Sequence, residues 1–374
     1  MLNLVKYLSS FPSVAEAVES VKSKFFIKVN SHSEYPQLLM FKYDQLESPM
    51  NEPLVRESRG IILDSQDNWK IVSYGFNKFF SHGEFYADKI DWHSAKFWEK
   101  IDGSLMFLYY YDGKWNVASS GMPDASGSAS DRKSSFSDIF WDCWYKNGYD
   151  LPTDTNKTYC FELTSPLTQV IVPHANTQIR LIGIRNLDTL QEELVSESFL
   201  NWDVVQSFPI NSLDDAMFMC QKMNPMQQEG FVITDANFNR VKLKSPQYVA
   251  IGHLGLTPEE IEAKGLDIKK YDADAQGKWM IKIIQTNEQS EFLTYYPQYK
   301  EIYDRLKSNF DSLCSESEAL YDSVKDITDQ KEYALKLKGN QFSGIFFQLK
   351  SGKLASIRDG FKATDPAKLY KVIK

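Results

Sequence analysis

No apolar run in this chain approaches the roughly 20 residues that a membrane-crossing helix needs. The opening Met1-Leu2-Asn3-Leu4 lacks the long apolar stretch and small-residue cleavage site of a secretory signal. Cysteine is scarce. The four cysteines, Cys143, Cys160, Cys220 and Cys314, are scattered without a C-x-x-C pair, which argues against a disulfide scaffold and predicts free thiols in a reducing, cytoplasmic setting. Five dispersed histidines form no zinc pattern. Internal repeats and low-complexity linkers are also missing. Positive charge is in deficit, at 42 Lys and Arg against 50 Asp and Glu, a net charge of −8. On average charge alone this disfavours a nucleic-acid partner, but binding depends on where the cations sit. The last stretch concentrates Lys350, Lys353, Arg358, Lys362, Lys368, Lys371 and Lys374 against Asp359 and Asp365. It reads either as a solvated basic helix face or as a patch that tracks phosphates.

What is present suits a two-domain globular protein: 374 residues, 43% hydrophobic, 25% charged, and a high 14% aromatic. The first 245 residues read as mixed α and β. Ser104 to Tyr111 is rich in strand formers, Asp112-Gly113 is a two-residue hairpin turn, and Trp115 to Ser119 returns as partner strand. Thr158 to Leu163, Gln178 to Ile184, Gly230 to Thr234 and Arg240 to Lys244 also read as strands. Helices are expected over Ser134 to Lys146, before Gly148, and over Asp214 to Met223, capped by Asn211 or Ser212. The Ser, Gly and Ala-rich segment Ser119 to Ser130 is expected to be the most mobile loop. From residue 246 onward the pattern turns helical: Thr257-Pro258-Glu259-Glu260 is a helix start, and Tyr299 to Val324, Lys331 to Leu337 and Gln341 to Leu349 carry helical spacing.

The chemistry centres on Glu99-Lys100-Ile101-Asp102-Gly103-Ser104. A lysine at its free pKa of about 10.4 is protonated and cannot attack. It becomes a nucleophile when desolvated or set beside other cations. Taken alone, K-x-D-G also describes a surface turn. Farther on, Glu229 precedes a strand, and Arg240-Val241-Lys242-Leu243-Lys244 puts two lysines on one strand face. Like charges there repel, so the pair is either an edge-strand solubility device or the grip on a phosphate. Glu162 places one carboxylate in an otherwise apolar strand, where it is exposed or binds a ribose hydroxyl or a hydrated metal.

The ordered set Lys100 to Gly103, Phe161-Glu162, Glu229-Gly230 and Lys242-Leu243-Lys244 resembles the covalent nucleotidyltransferase superfamily of DNA ligases, RNA ligases and mRNA capping enzymes. Upstream, Arg56-Glu57-Ser58-Arg59-Gly60 and Asn77-Lys78-Phe79-Phe80-Ser81-His82-Gly83-Glu84 resemble two blocks of the phage-type RNA ligase 1 family. The resemblance spans roughly residues 40 to 250, including Ser165-Pro166 and Tyr248. In two places the chain departs from that family: Ala118-Ser119-Ser120-Gly121 lacks a lysine that the phage enzyme has in the equivalent turn, and Gln169 stands where an arginine is usual.

The resemblance implies an α+β fold: an adenylation domain of antiparallel sheets flanked by helices over residues 1–245, then a mainly helical domain over 246–374 with a role in RNA recognition. It implies an ATP-dependent RNA ligase, with Mg²⁺, joining 5′-phosphate and 3′-hydroxyl ends through lysyl-AMP and adenylated RNA, in repair of RNA such as nicked tRNA. A monomer in the cytoplasm, a host's if phage-encoded, is expected. It makes Lys100 the nucleophile. Lys242 and Lys244 are expected on the α-phosphate and Arg59 on the triphosphate. Lys78 and Tyr43 are expected on the nucleotide, and Ser104 closing the nucleophile turn. Glu162 and Glu229 are expected on the ribose or in the water shell of the metal, and Asp102 in that metal shell. Tyr248 is expected in the pocket. Asp272 and Asp274 are second-metal ligands or a solvated acidic loop. A capping guanylyltransferase, a DNA ligase and an inactive RNA-binding homologue carry overlapping motifs and stay as alternatives: labelling by GTP would mark the first, better sealing of DNA nicks than of RNA ends the second, and absence of an adenylate label the third.

Overall fold

The computed structural model describes residues 1–195, 199–254 and 273–374. The chain divides into two compact units, Met1–Tyr248 and Val249–Lys374. The expected helix start at residues 257–260 and Asp272 lie outside the described residues.

The first unit holds three sheets. One is four-stranded, in the order β1 (Lys28–Ser31), β2 (Leu38–Lys42), β3 (Arg59–Asp64), β4 (Lys70–Ser73). A five-stranded sheet runs β11 (Glu192–Glu193), β10 (Gln178–Asn186), β9 (Lys157–Thr164), β7 (Ser104–Tyr111), β8 (Lys114–Ser119). The third runs β12 (Ser207–Phe208), β6 (Lys96–Lys100), β13 (Gly230–Thr234), β14 (Arg240–Lys244), β5 (Phe80–Ser81). The named strands pair antiparallel apart from β14 and β5, which are parallel. This is the expected α+β class with antiparallel sheets.

Local chemistry explains the elements. The β7–β8 hairpin turns at Asp112 and Gly113, both at positive φ (49° and 78°), which matches the right-handed strand twist. The helix Phe136–Lys146 starts in a capping box between Ser135 and Asp138. Its apolar face, Ile139, Phe140, Cys143 and Trp144, packs on Met106, Phe161 and Leu181 of the five-stranded sheet. Each such side chain, fully buried, contributes roughly 1.5–3 kcal/mol. The first sheet covers its Phe41, Ile61 and Leu63 face with helices Asn3–Leu8 and Val14–Phe25. Its other face, Leu38, Met40 and Ile62, meets Phe107 and Tyr109.

The segment Ser119 to Ser130 is not the loose loop its composition suggests. Ser119 and Ala125 both donate their amides to the Met122 carbonyl, and the Tyr109 hydroxyl donates to the Pro123 carbonyl at 2.7 Å. Ala125 and Ala129 are buried. Small residues here allow close packing rather than slack.

The second unit is helical in its described residues, with Ala273–Thr286 and Lys300–Val324 as its long helices. Its core gathers Met280, Ile284, Phe310, Phe346, Phe361 and Leu369. The basic tail forms Ile357–Lys362 and Pro366–Ile373 and spends part of its charge internally. Arg358 pairs with Asp311 at 2.9 Å, Lys362 with Asp359 at 2.9 Å, and Lys368 donates to the Gln341 carbonyl. Lys353, Lys371 and Lys374 stay exposed, so the uniform basic strip of the sequence is a sparser one in space.

Candidate active site

The site is assembled by β13, which lies between β6 and β14. Gly230 of β13 faces Lys100 across one register and Lys244 across the other. Glu229, one residue earlier, therefore arrives between two ammonium groups. Its Oε2 is 2.7 Å from Lys100 Nζ and its Oε1 is 3.5 Å from Lys244 Nζ, with the Glu229 side chain only 5% exposed. Gly230 is required by close approach. A Cβ there would sit 2.1 Å from the Leu243 carbonyl oxygen, at a φ of +156°. Lys242 shares the face of Lys244 and lies between Val232 of β13 and Ser81 of β5. At Lys242 the strand is thus interior to its sheet, which removes the edge-strand explanation for that lysine.

The turn that follows Lys100 is anchored from distant parts of the chain. Asp102 is buried, and its Oδ2 accepts the amides of Ile171 and Val172 at 2.8 and 2.6 Å. Its Oδ1 accepts the Tyr248 hydroxyl at 2.7 Å. His174 Nε2 meets the Asp102 carbonyl at 2.9 Å. Gly103 presses on β9, where a Cβ would come within 2.5 Å of the Leu163 carbonyl oxygen. Sequence reading missed the 171–174 anchor, because nothing local links it to Asp102.

Beside this centre opens a cleft of about 880 Å³, lined by Tyr43, Arg59, Lys100, Ser104 and Glu162 among others, a volume suited to a nucleotide. Lys78, Asp102, Glu229, Lys242 and Lys244 lie outside its lining. Lys78 Nζ stands 5.5 Å from the centre of the Tyr43 ring and 5.2 Å from that of Phe80. The Arg59 guanidinium lies 4.5 Å from the centre of the Phe79 ring, with Nη1 3.5 Å from the Asn77 carbonyl. Ser104 opens β7 opposite Leu163. Glu162 comes from β9, opposite Leu105 and Arg180. Burial pushes its carboxyl up to about 7; Lys100 draws it down and Glu229 pushes it further up. No hydrogen bond reaches that carboxyl among the described residues.

The three carboxylates offered for a metal are therefore unlike. Asp102 and Glu229 are occupied by protein donors, while Glu162 keeps its oxygens open to the cleft. Among the described residues no three His, Cys, Asp or Glu side chains converge as an ion-binding cluster. Such a set fits a Mg²⁺ that keeps most of its waters and touches one carboxylate. Asp274 pairs with Lys278 at 3.7 Å, one helical turn away.

A family model described as RNA ligase matches residues 57–248, just over half the chain. The RNA ligase of Rhodothermus phage RM378 is 25% identical over 413 aligned positions, covering 92% of this chain and 91% of that one. An archaeal ATP-dependent RNA ligase structure is 11% identical with a TM-score of 0.46, over 76% of this chain and 79% of that one. A Naegleria gruberi RNA ligase variant, solved with ATP and Mn, is 13% identical with a TM-score of 0.33; the match covers 43% of this chain and about half of that one, 52%. Among the described residues no helix is long and apolar enough to cross a membrane.

Proposed function

Because the chain belongs to the RNA ligase family, and so acts on RNA, we propose that it seals 5′-phosphate to 3′-hydroxyl ends at the expense of ATP, with Lys100 as the residue that carries AMP. The observation that carries this reading is the Lys100–Glu229–Lys244 constellation, whose Lys100 lines a nucleotide-sized cleft.

In the first step Lys100 Nζ attacks the α-phosphorus of ATP. A bond forms between Nζ and phosphorus, the bond from phosphorus to the bridging oxygen breaks, and pyrophosphate leaves with its electrons. The ammonium must shed a proton, and Glu229 Oε2, at 2.7 Å, is the acceptor at hand. Lys242 and Lys244 neutralise the charge that builds on the α-phosphate. Arg59 holds the outer phosphates by its guanidinium fork, and Tyr43 and Lys78 bound the nucleotide end of the site. Bound Mg²⁺, held through Glu162, would supply further neutralisation at phosphate oxygens. In the second step an oxygen of the RNA 5′-phosphate displaces Lys100 from AMP, and Lys100 regains its proton. In the third, a 3′-hydroxyl attacks the activated phosphate and AMP departs. Asp102 acts as a positioning residue, tied by Tyr248 and the 171–172 amides so that Lys100 is held in line.

Residues 246–374 take, on this reading, the role of recognising a structured RNA such as a nicked tRNA, with the enzyme acting as a monomer in the cytoplasm. Incubation with Mg²⁺ and ATP labelled on the α-phosphate tests the scheme. An acid-stable adduct with ATP, lost in Lys100→Ala, supports it. Labelling by GTP instead would point to a capping enzyme, and an unchanged adduct in Lys100→Ala would overturn the mechanism.

A further inference from the structure

Three cations stand abreast across the first sheet. Lys28 of β1 faces Lys42 of β2, and Lys42 faces Arg59 of β3. Like charges directly opposite on neighbouring strands destabilise a sheet. Lys28 is relieved by Asp44 at 2.9 Å. For Lys42 and Arg59 there is no carboxylate within ion-pair distance among the described residues. Arg59 rests on Phe79, and Lys42 Nζ donates only to Ser120 Oγ, at 3.3 Å. Both are half-buried, and both line the cleft that holds Lys100 and Glu162. Burial, with Arg59 and Lys28 nearby, holds the Lys42 ammonium below its ordinary pKa.

A sheet gains nothing from two opposed, partly desolvated cations unless an anion comes to lie between them. The position of Ser120 sharpens this. It lies in the segment 118–121, which lacks the lysine that the resembling phage enzyme carries there, and Lys42 reaches that place from the adjacent sheet. A Cβ on the neighbouring Gly121 would lie 3.7 Å from Lys42 Nζ.

We propose that Lys42 is a phosphate-binding residue of this enzyme: with Arg59 it grips the β- and γ-phosphates of ATP and the departing pyrophosphate, supplying from β2 the cation that the 118–121 turn does not. This rests on the ATP-dependent reading above. The charge is transferable between two backbone positions, and that yields a specific test.

Lys42→Met keeps the aliphatic stem and removes the charge. Lys42→Arg keeps a charge, and Lys42→Met with Ser120→Lys returns it from the other strand. The ATP concentration dependence of adduct formation and inhibition by inorganic pyrophosphate are measured for each. Losing one charge-assisted contact is expected to raise the KM for ATP and the inhibition constant of pyrophosphate together by about tenfold or more. Lys42→Arg and the Ser120→Lys double variant recover most of that loss. Because repulsion is relieved, Lys42→Met is expected to melt no lower than wild type, whereas pyrophosphate alone stabilises wild type more than the variant. Unchanged KM and pyrophosphate inhibition in Lys42→Met would overturn the proposal, and so would a lowered melting temperature that pyrophosphate offsets equally in both proteins. Absence of any ATP adduct in wild type would instead refute the ligase mechanism, while the pyrophosphate melting comparison would still decide the anion site.

Discussion

Glu229→Gln isolates the electrostatics of the centre, because it changes one charge and almost no volume. Glu229 is the carboxylate shared by Lys100 and Lys244, whose side chains are 20% and 10% exposed. Removing its charge leaves two ammonium groups converging on a neutral amide in a site water reaches poorly. Breaking a buried pair from one side costs about 3–5 kcal/mol, and the partial exposure of Lys100 argues for the lower end, about 3 kcal/mol. For a unit of this size each kcal/mol lowers the melting temperature by about 2–4 °C, so a fall of roughly 6–12 °C is expected. Tryptophan fluorescence is a suitable readout, since seven of the eight tryptophans precede residue 249. Two controls bear on the cause. Pyrophosphate, an anion able to pair both lysines, should recover part of the loss. Lys244→Met in the Glu229→Gln background should recover more of it than the sum of single effects allows. Adduct formation should be crippled throughout. A Glu229→Gln protein that melts within about 2 °C of wild type would refute the claim that this carboxylate compensates two half-buried cations.

Three further outcomes are expected. Glu162, whose carboxyl is pushed up to about 7 by burial, must lose its proton to bind Mg²⁺, so the metal concentration needed for half-maximal adduct formation should fall as pH rises toward 7 and level off above it. The raised pKa also means that the metal-free fold loses stability as pH climbs from the ordinary carboxyl range toward 7; Glu162→Gln should abolish that slope, and a slope persisting in the variant would count against it. Gly230→Ala forces a Cβ to within 2.1 Å of backbone and should destabilise the first unit by more than about 2 kcal/mol while abolishing adduct formation; a variant with wild-type melting would show that β13 and β14 can part there.

Much of the candidate site's placement was legible because it is written in short range. Lys100 sits at the end of one strand, Glu229 at the start of another, and Lys242 and Lys244 share a face by simple alternation. The hairpin at Asp112-Gly113 and the capped helix after Ser135 follow from the same local rules. The helical spacing from Tyr299 to Leu349 was legible too, since amphipathic spacing repeats within a turn or two, whereas the helix Ala273–Thr286 was not singled out.

Register and depth were not legible. The hydrogen-bond partners of Asp102, which come from 69, 70 and 146 positions away, could not be read from its neighbourhood in the chain. The tail looked uniformly basic until Asp311 and the Gln341 carbonyl took up two of its cations. Segment 119–130 looked slack until its alanines were seen buried. Lys42 drew no notice, because its meaning lies in facing Arg59 across a strand pair and in reaching Ser120 on another sheet. Sequence alone determined which residue types make up the candidate site and in what order they come. Only the tertiary structure decided which carboxylates are already spent on lysines and amides, which one stays open, and where two cations are left facing each other. The reason is physical: propensity and alternation act over a few bonds, whereas charge compensation is settled by whatever distant groups the packed sheets bring within a few ångströms.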